Sequence, residues 1–349
     1  MVMLGIDVHK DTHTAVAVDE VGRQDAVRTV RATDVGHQQL VRWARTRWPQ
    51  GRVWAVEDCR HVSGRLERAL LGAGERVVRV PPKLMAGARD SARTRGKSDP
   101  IDALAVARAA LREPDLPVAE HDEVSRELKL LVDHRENLVA ERTRMQNRLR
   151  WHLHELDPEL DVPARGLDRL VVLDRLTTWV GGQPATVVVR LAGELLADIR
   201  AATVRITALE REIAGRVRQV APALLALLGV GALTAAKIVG ETANVARFRS
   251  EACFAMHAGV APIPASSGRT HRHRLARGGN RQLNAALHRV AVTQIRLPDS
   301  LGQIYYQRRR ARGDTTMEAL RALKRRLARV VFNLLQPTAT ATGHLPAAA

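Results

Sequence analysis

Apolar and polar positions divide the chain into three stretches. Up to about residue 112, short apolar runs alternate with amphipathic ones. Val2–Val8 is an apolar run interrupted by Asp7 near its end, and Thr12–Val18 alternates polar and apolar positions. Gly22 marks a turn, after which Asp25–Val30 reads as a third strand. His37–Trp48 has helical spacing through Leu40, Val41, Trp43 and Ala44, and Val53–Glu57 reads as a buried strand. Ser63–Leu71 is helical and stopped by Gly72 and Gly74, Val77–Val80 is a strand closed by Pro81-Pro82, and Ala103–Leu111 is helical. The order βββ-α-β-α-β-α predicts an α/β domain of RNase H-like type.

The second stretch, residues 120–160, is polar and helical. Leu128, Leu131, Leu138, Met145, Leu149 and His152 recur at spacings of three, four and seven. Leu191–Val220 forms a second long helix, and the two are expected to pair with each other or with another subunit in coiled-coil fashion. Pro163–Pro184 between them is read as irregular, with a turn at Gly181-Gly182-Gln183-Pro184. The third stretch, 221–335, reads as compact, helical and basic. The tail 336–349 is poor in core-forming residues and is expected to be disordered. The domains expected are therefore 1–115, a helical connection over 120–220, and a mainly α domain over 221–335.

Composition narrows the classes. With 349 residues and 45% apolar positions the chain is long enough for a sizeable core, which excludes a mostly disordered protein. Two cysteines, Cys59 and Cys253, exclude a disulfide scaffold and a multi-cysteine zinc module. The N-terminus lacks the pattern of a secretory signal, and the longest uncharged apolar stretch, Val220–Ala236, contains Pro222, Gly229 and Gly231. A soluble cytoplasmic protein without a membrane segment is expected. The net charge is +18, and 16 basic against 3 acidic residues fall between Pro262 and Leu335. A GC-rich genome raises arginine generally, but it does not concentrate it without acidic partners. The excess points to a polyanionic partner, most simply nucleic acid.

Four carboxylates stand out. Asp7 and Glu57 end apolar strands that an RNase H-like sheet makes neighbours, and Asp99 and Asp102 open the helix in Lys97-Ser98-Asp99-Pro100-Ile101-Asp102-Ala103. Spacing of three places the latter pair near one helix face. Crowded carboxylates repel unless a hard cation holds them, and Mg²⁺ suits both oxygen ligands and phosphate substrates. The plainer reading makes Asp99 an N-cap before Pro100 and Asp102 a dipole-stabilising residue. That reading leaves Asp7 and Glu57 unexplained. The opening Gly5-Ile6-Asp7 also resembles sugar-kinase and actin-like ATPase domains, but the following Val8-His9-Lys10-Asp11 lacks their small-residue phosphate turn.

Further along, Gly229 and Gly231 in Leu227-Leu228-Gly229-Val230-Gly231-Ala232 suggest a helix-hairpin-helix element whose backbone amides approach a phosphate. A tight turn inside a core reads equally well. Gly259-Val260-Ala261-Pro262 leads to Ser266-Ser267-Gly268 and the basic segment Arg269–Arg277, and Gly278-Gly279-Asn280 then opens a helix with Arg281. A serine among guanidinium groups suits covalent attack on a phosphodiester. From spacing alone, a polar turn with two ordinary serines is the simpler account.

In order and spacing, these motifs resemble the insertion-sequence 110 family of DEDD transposases, related to the pilin-gene invertase, over roughly residues 1–335. The anchors are Gly5-Ile6-Asp7 with Lys10, then Glu57, then Lys97–Ala103, and finally Gly229-Val230-Gly231, Gly259–Pro262 and Ser267-Gly268. The resemblance implies a RuvC-like domain holding Mg²⁺ through Asp7, Glu57, Asp99 and Asp102. It implies a C-terminal transposase domain whose serine links covalently to DNA, and it selects Ser267 over Ser266. It implies homo-oligomers, dimers or tetramers, whose active sites combine two subunits, and a structured guide RNA encoded by the element. Arg269, Arg272, Arg274, Arg277 and Arg281 would contact nucleic-acid phosphates. The chain departs from the family after Glu57, where Asp58-Cys59-Arg60-His61-Val62 replaces small residues and a glycine; this offers Asp58 as an alternative ligand, but Glu57 keeps the strand-end position.

Three alternatives are distinguishable. A RuvC-like nuclease cutting with metal-activated water needs the acids and no serine. A tyrosine-type recombinase would use Tyr305 or Tyr306 with His271, His288 and arginines, although helix packing accounts for that tyrosine pair. A non-catalytic nucleic-acid-binding protein would use the acids only as caps and surface charge.

Overall fold

The computed structural model describes residues 1–57, 60–81, 84–85, 98–113, 116–120, 122–266, 273–274, 276 and 278–336. It divides into two compact units, one of residues 1–122, 243–291 and 304–349, the other of 123–242 and 292–303.

The first unit begins with strands β1 (Val2–Val8), β2 (Thr12–Val18) and β3 (Gln24–Arg31), then helix α1 (Asp34–Arg47). Strand β4 (Arg52–Glu57), helix α2 (Arg60–Gly72), strand β5 (Val77–Val80) and helix α3 (Asp99–Arg112) follow. The sheet order is β3-β2-β1-β4-β5. The first three strands form an antiparallel meander, while β4 lies parallel to β1 and β5 parallel to β4. This is the RNase H-like order expected, with the first and fourth strands adjacent at the centre.

Period-two alternation sorts the side chains to two faces. Leu4, Ile6, Val8, Trp54 and Val56 pack with Leu40, Ala44, Leu66 and Leu70 from α1 and α2. Met3, Val53, Ala55, Val78 and Val80 pack on the other face with Ala103, Val106 and Ala110 of α3. Asp7 and Glu57 share the parity of Met3 and Ala55, so both belong to the α3 face.

The helices begin earlier than apolar spacing alone indicates. Helix α1 starts at Asp34 because Thr33 caps it, its hydroxyl accepting from the Gly36 amide. Helix α3 starts at Asp99, and Ser98 has the extended N-cap backbone. Asp99 is thus the first helical residue rather than the cap, which corrects the plainer reading of that carboxylate.

In the second unit, α4 (Glu123–Leu156) and α6 (Val187–Val220) each run 34 residues. They pair antiparallel, as the contacts Glu127–Arg216, Arg135–Glu210 and Arg142–Thr203 show by their reversed numbering. The Pro163–Pro184 stretch is more regular than expected. It contains helix α5 (Leu170–Gly181), whose Val172, Leu173, Leu176 and Val180 bury against Leu149, Leu153, Leu196 and Ile199. After the one-turn α7 (Pro222–Leu225) and the glycine turn, α8 (Ala232–Thr242) packs on α4, with buried Lys237 donating to Glu136 at 2.5 Å.

The rest of the first unit comprises α9 (Glu251–His257), a two-strand ribbon of β6 (Ile263–Pro264) and β7 (His273–Arg274), and the helices α10 (Arg281–Arg296), α11 (Leu301–Ala311) and α12 (Thr316–Leu335). Residues 292–303, spanning the end of α10 and the start of α11, group with the second unit. Glu251 binds Arg325 and Arg329 and so joins α9 to α12. Among the described residues no helix is long and apolar enough to cross a membrane.

Candidate active site

The sheet and one glycine bring the acids together. A Cβ on Gly5 would lie 2.2 Å from the Ala103 carbonyl oxygen and 2.3 Å from the Ala107 nitrogen, so only glycine admits α3 this close to β1. Because Gly5 sits beside Ala103, Asp7 lies two residues farther along β1 and toward the start of α3. Ile6 is in register with Val56, so the next residues on these adjacent parallel strands are Asp7 and Glu57. The N-terminal end of α3 therefore meets the C-terminal ends of β1 and β4, and all four predicted acids come to that end of the sheet.

Asp7 is only 6% exposed. Burial raises its pKa most, the His9 charge and hydrogen bond oppose that, and Asp102 and Asp99 add to the rise; the net direction is upward. His9 Nε2 lies 2.9 Å from Asp7 Oδ2 and 3.5 Å from Asp99 Oδ1. Ligand atoms of Asp7, His9 and Asp99 all fall within 4.8 Å of one another, a spacing that a metal ion can bridge. Glu57 is half-buried and Asp102 buried, and neither belongs to that 4.8 Å group.

The residues fit a divalent cation. A buried carboxylate whose strongest electrostatic neighbours include two more carboxylates holds its charge poorly in water-poor surroundings, and a cation removes that cost. His9 was singled out by no motif. Its signal was parity: two residues past Asp7, it projects to the same side from the turn where its amide donates to the Thr12 carbonyl.

The second constellation is partly described. Ser267, Arg269, Arg272 and Arg277 lie outside the described residues, as does Asp58. Gly259 has φ of +66°, and a Cβ on Gly279 would lie 2.2 Å from the Gly259 Cα. Asn284 Nδ2 donates to the carbonyls of Ala258 and Gly259, and the Asn280 amide to that of His257. The Gly259–Pro262 approach and the Gly278–Asn280 return thus pack on each other. Ser266, Arg274 and Arg281 are exposed.

At the other glycine motif, Gly229 has φ of +87°, which favours glycine, and the Leu228 carbonyl accepts from Gln294. Gly231 is exposed at the start of α8, while Ala235, Ala236 and Lys237 are buried. Tyr305 and Tyr306 are half-buried on α11, and Arg326 lies over the Tyr305 ring.

Residues 4–158 match the family model for the DEDD transposase of the IS110 type, described as a transposase, and residues 221–307 match that of the transposase IS116/IS110/IS902 family. This chain belongs to the IS110 transposase family. Its relatives include an uncharacterised insertion element IS116 protein of Streptomyces clavuligerus, 27% identical over 96% of this chain and 94% of that one. An IS110 protein of Streptomyces coelicolor is 28% identical over 99% of this chain and 96% of its own. An IS900 protein of Mycobacterium paratuberculosis is 27% identical over 96% of each. Among solved structures, T. thermophilus RuvC in complex with a Holliday junction substrate aligns over 34% of this chain and 99% of its own, at 16% identity and a TM-score of 0.28. As an IS110-type transposase, the chain is of a DNA-cleaving and recombining class, with an acidic group suited to a divalent metal.

Proposed function

We propose that this transposase cuts and rejoins DNA by joining two chemistries, an acidic Mg²⁺ site and a serine nucleophile. The observation that carries the proposal is the meeting of Asp7, Glu57, Asp99 and Asp102 at one end of the sheet. These four residues would hold Mg²⁺, which when bound neutralises phosphate charge and positions the scissile group. Asp7, being buried, has little freedom to rearrange, whereas Asp99 at 47% side-chain exposure is open to a phosphate brought from solvent.

Ser267 Oγ attacks the phosphorus and loses its proton as the O–P bond forms. The strand's leaving oxygen takes up a proton as its own P–O bond breaks and departs as a free hydroxyl. The phosphoserine link keeps the energy of the phosphodiester, so no ATP is consumed. A hydroxyl from the second duplex then displaces the serine and restores its proton. Arg269, Arg272, Arg274, Arg277 and Arg281 neutralise backbone phosphates bound by this segment, and Gly229 and Gly231 offer amides to another phosphate.

The assembly belongs to the same reading. Trp151, Leu130 and Val204 on the α4–α6 pair are exposed apolar residues, which supports contact with a second copy there. Shared active sites, with acids from one subunit and serine from another, follow the family resemblance. So does a structured RNA as a second polyanion, for which the net charge of +18 leaves ample attraction.

The test uses element-end DNA, the transcript flanking the gene and Mg²⁺. Wild-type protein should yield a denaturation-resistant protein–DNA adduct, Ser267→Ala should yield none, and Asp102→Asn should neither cut nor link. Cleavage without an adduct would instead favour the hydrolytic nuclease, and full activity in Asp102→Asn would count against the metal site.

A further inference from the structure

A cavity of about 410 Å³ opens beside the Gly259–Pro262 approach to the serine loop, lined also by Arg274 of β7, Tyr305 of α11 and Arg321 and Lys324 of α12. Its wall includes five Lys and Arg side chains against two carboxylates, Asp314 and Glu318. Two of the five are already engaged: Arg309 pairs with Asp314, and Arg325 with Glu251. Glu318 closes a capping box with Thr315 at the start of α12.

Lys324 is the unusual member. The chain has only six lysines, and this one is 7% exposed. Its ammonium donates to Asn284 Oδ1 at 2.8 Å, the same Asn284 that holds the Ala258 and Gly259 carbonyls. Among the described residues neither Lys324 nor Arg321 has a carboxylate partner. Burial, and then the Arg321 charge, lower the Lys324 pKa. A buried ammonium without a counter-ion is costly, and ordinary packing would replace it by an apolar side chain. An anion entering the cavity removes that cost.

We infer that this cavity binds one nucleotide of the DNA strand being cut, with a backbone phosphate on Lys324 and Arg321 and the base against Tyr305 and the Val260–Pro262 wall. The volume lies within the range of roughly 300–1,000 Å³ typical of small-molecule pockets, more than a lone phosphate fills. Aromatic stacking holds bases without reading their sequence. Through Asn284, the occupied site is tied to the backbone that leads to Ser267, so strand binding and loop placement are coupled. The choice of DNA over RNA rests on the serine reading above.

Thymidine 3′,5′-bisphosphate, which carries both phosphates of a strand, is the probe, titrated calorimetrically into the full chain in EDTA. One site per chain is expected. Lys324→Met and the more accessible Arg321→Gln should each weaken binding at least tenfold, and Lys324→Arg should restore part of it. Arg190→Gln, which removes an exposed arginine that does not line the cavity, should bind as the wild type does. No binding in the wild type, or unchanged binding in Arg321→Gln and Lys324→Met, would overturn the inference. Inorganic phosphate binding as tightly would reduce the site to an anion hole, and tighter binding of uridine 3′,5′-bisphosphate would assign it to RNA; either result overturns a DNA nucleotide pocket. If the probe binds as expected while no phosphoserine adduct ever forms, the serine reading fails and the pocket stands.

Discussion

Gly5 sets how near α3 comes to β1, and so how near Asp99 and Asp102 come to Asp7. Gly5→Ala drives a methyl group into the Ala103 carbonyl, and backbone there has no side-chain rotamer to yield. The expected loss is about 3 kcal/mol, the upper end for overpacking, read as a lower urea midpoint, with metal-dependent cleavage falling further than stability alone accounts for. A second residue-scale feature lies on the opposite face. His13 and His37 are 2% and 1% exposed and stack at 5.2 Å, and His13 Nδ1 and both His37 nitrogens have no hydrogen-bond partner among the described residues. Burial, and next the His37 charge, push the His13 pKa down to about 4. His37 is also lowered by burial, Asp34 opposing and Arg65 adding to it. The unfolded chain therefore binds protons near pH 6.5 that the folded chain refuses, so stability falls with pH through that window and levels off below about 4. Between pH 7.5 and 5 His13 alone should remove about 2 kcal/mol. His13→Leu should flatten the urea midpoint over that range; an unchanged slope would remove the buried pair from the account.

At the scale of elements, Glu75 fastens the end of the sheet away from the acids. It is buried and accepts from Arg52, Arg45 and Trp54 Nε1, the last at 2.8 Å. Burial alone would raise its pKa, yet the hydrogen bonds from Arg52, Trp54 and Arg45 hold it below the usual carboxylate range. Glu75→Gln leaves Arg52 half-buried without its counter-charge and should cost about 3 kcal/mol, measurable by denaturation. Strands and most helices were legible in the sequence because each carries one apolar face of fixed period. What escaped had a local cause. Helix α5 hid between Pro163 and Pro184, because its apolar residues fall close together in Leu170–Val172 and near two glycines, and only burial against α4 and α6 separates it from a loop. Helix α3 began earlier than its apolar residues suggested, since a polar Ser98 and a proline at the second helical position start it. The four acids were legible as strand-end and helix-start carboxylates. His9 was not, because its parity with Asp7 does not by itself tell a ligand from an ordinary polar turn residue until the α3 N-terminus is brought against it.

For the whole molecule, the charge of +18 divides by structural role. Part of the C-terminal excess is spent internally, as when Arg325 and Arg329 share Glu251 and pull its pKa down to about 2. Arg274, Arg281 and Arg289 stay exposed and without an ion pair among the described residues, which leaves them to an external polyanion. The reaction proposed needs both the acidic group at the sheet end and the basic segment that bears Ser267. The central claim is that the transferred strand is carried on Ser267. The most direct measurement is peptide mapping, by mass spectrometry, of the adduct trapped with element-end DNA and Mg²⁺ after nuclease digestion. The account predicts a nucleotide phosphate on the peptide bearing Ser267, at that residue and not at Ser266. A nucleotide on Tyr305 or Tyr306, or cut DNA with no modified peptide, would contradict it.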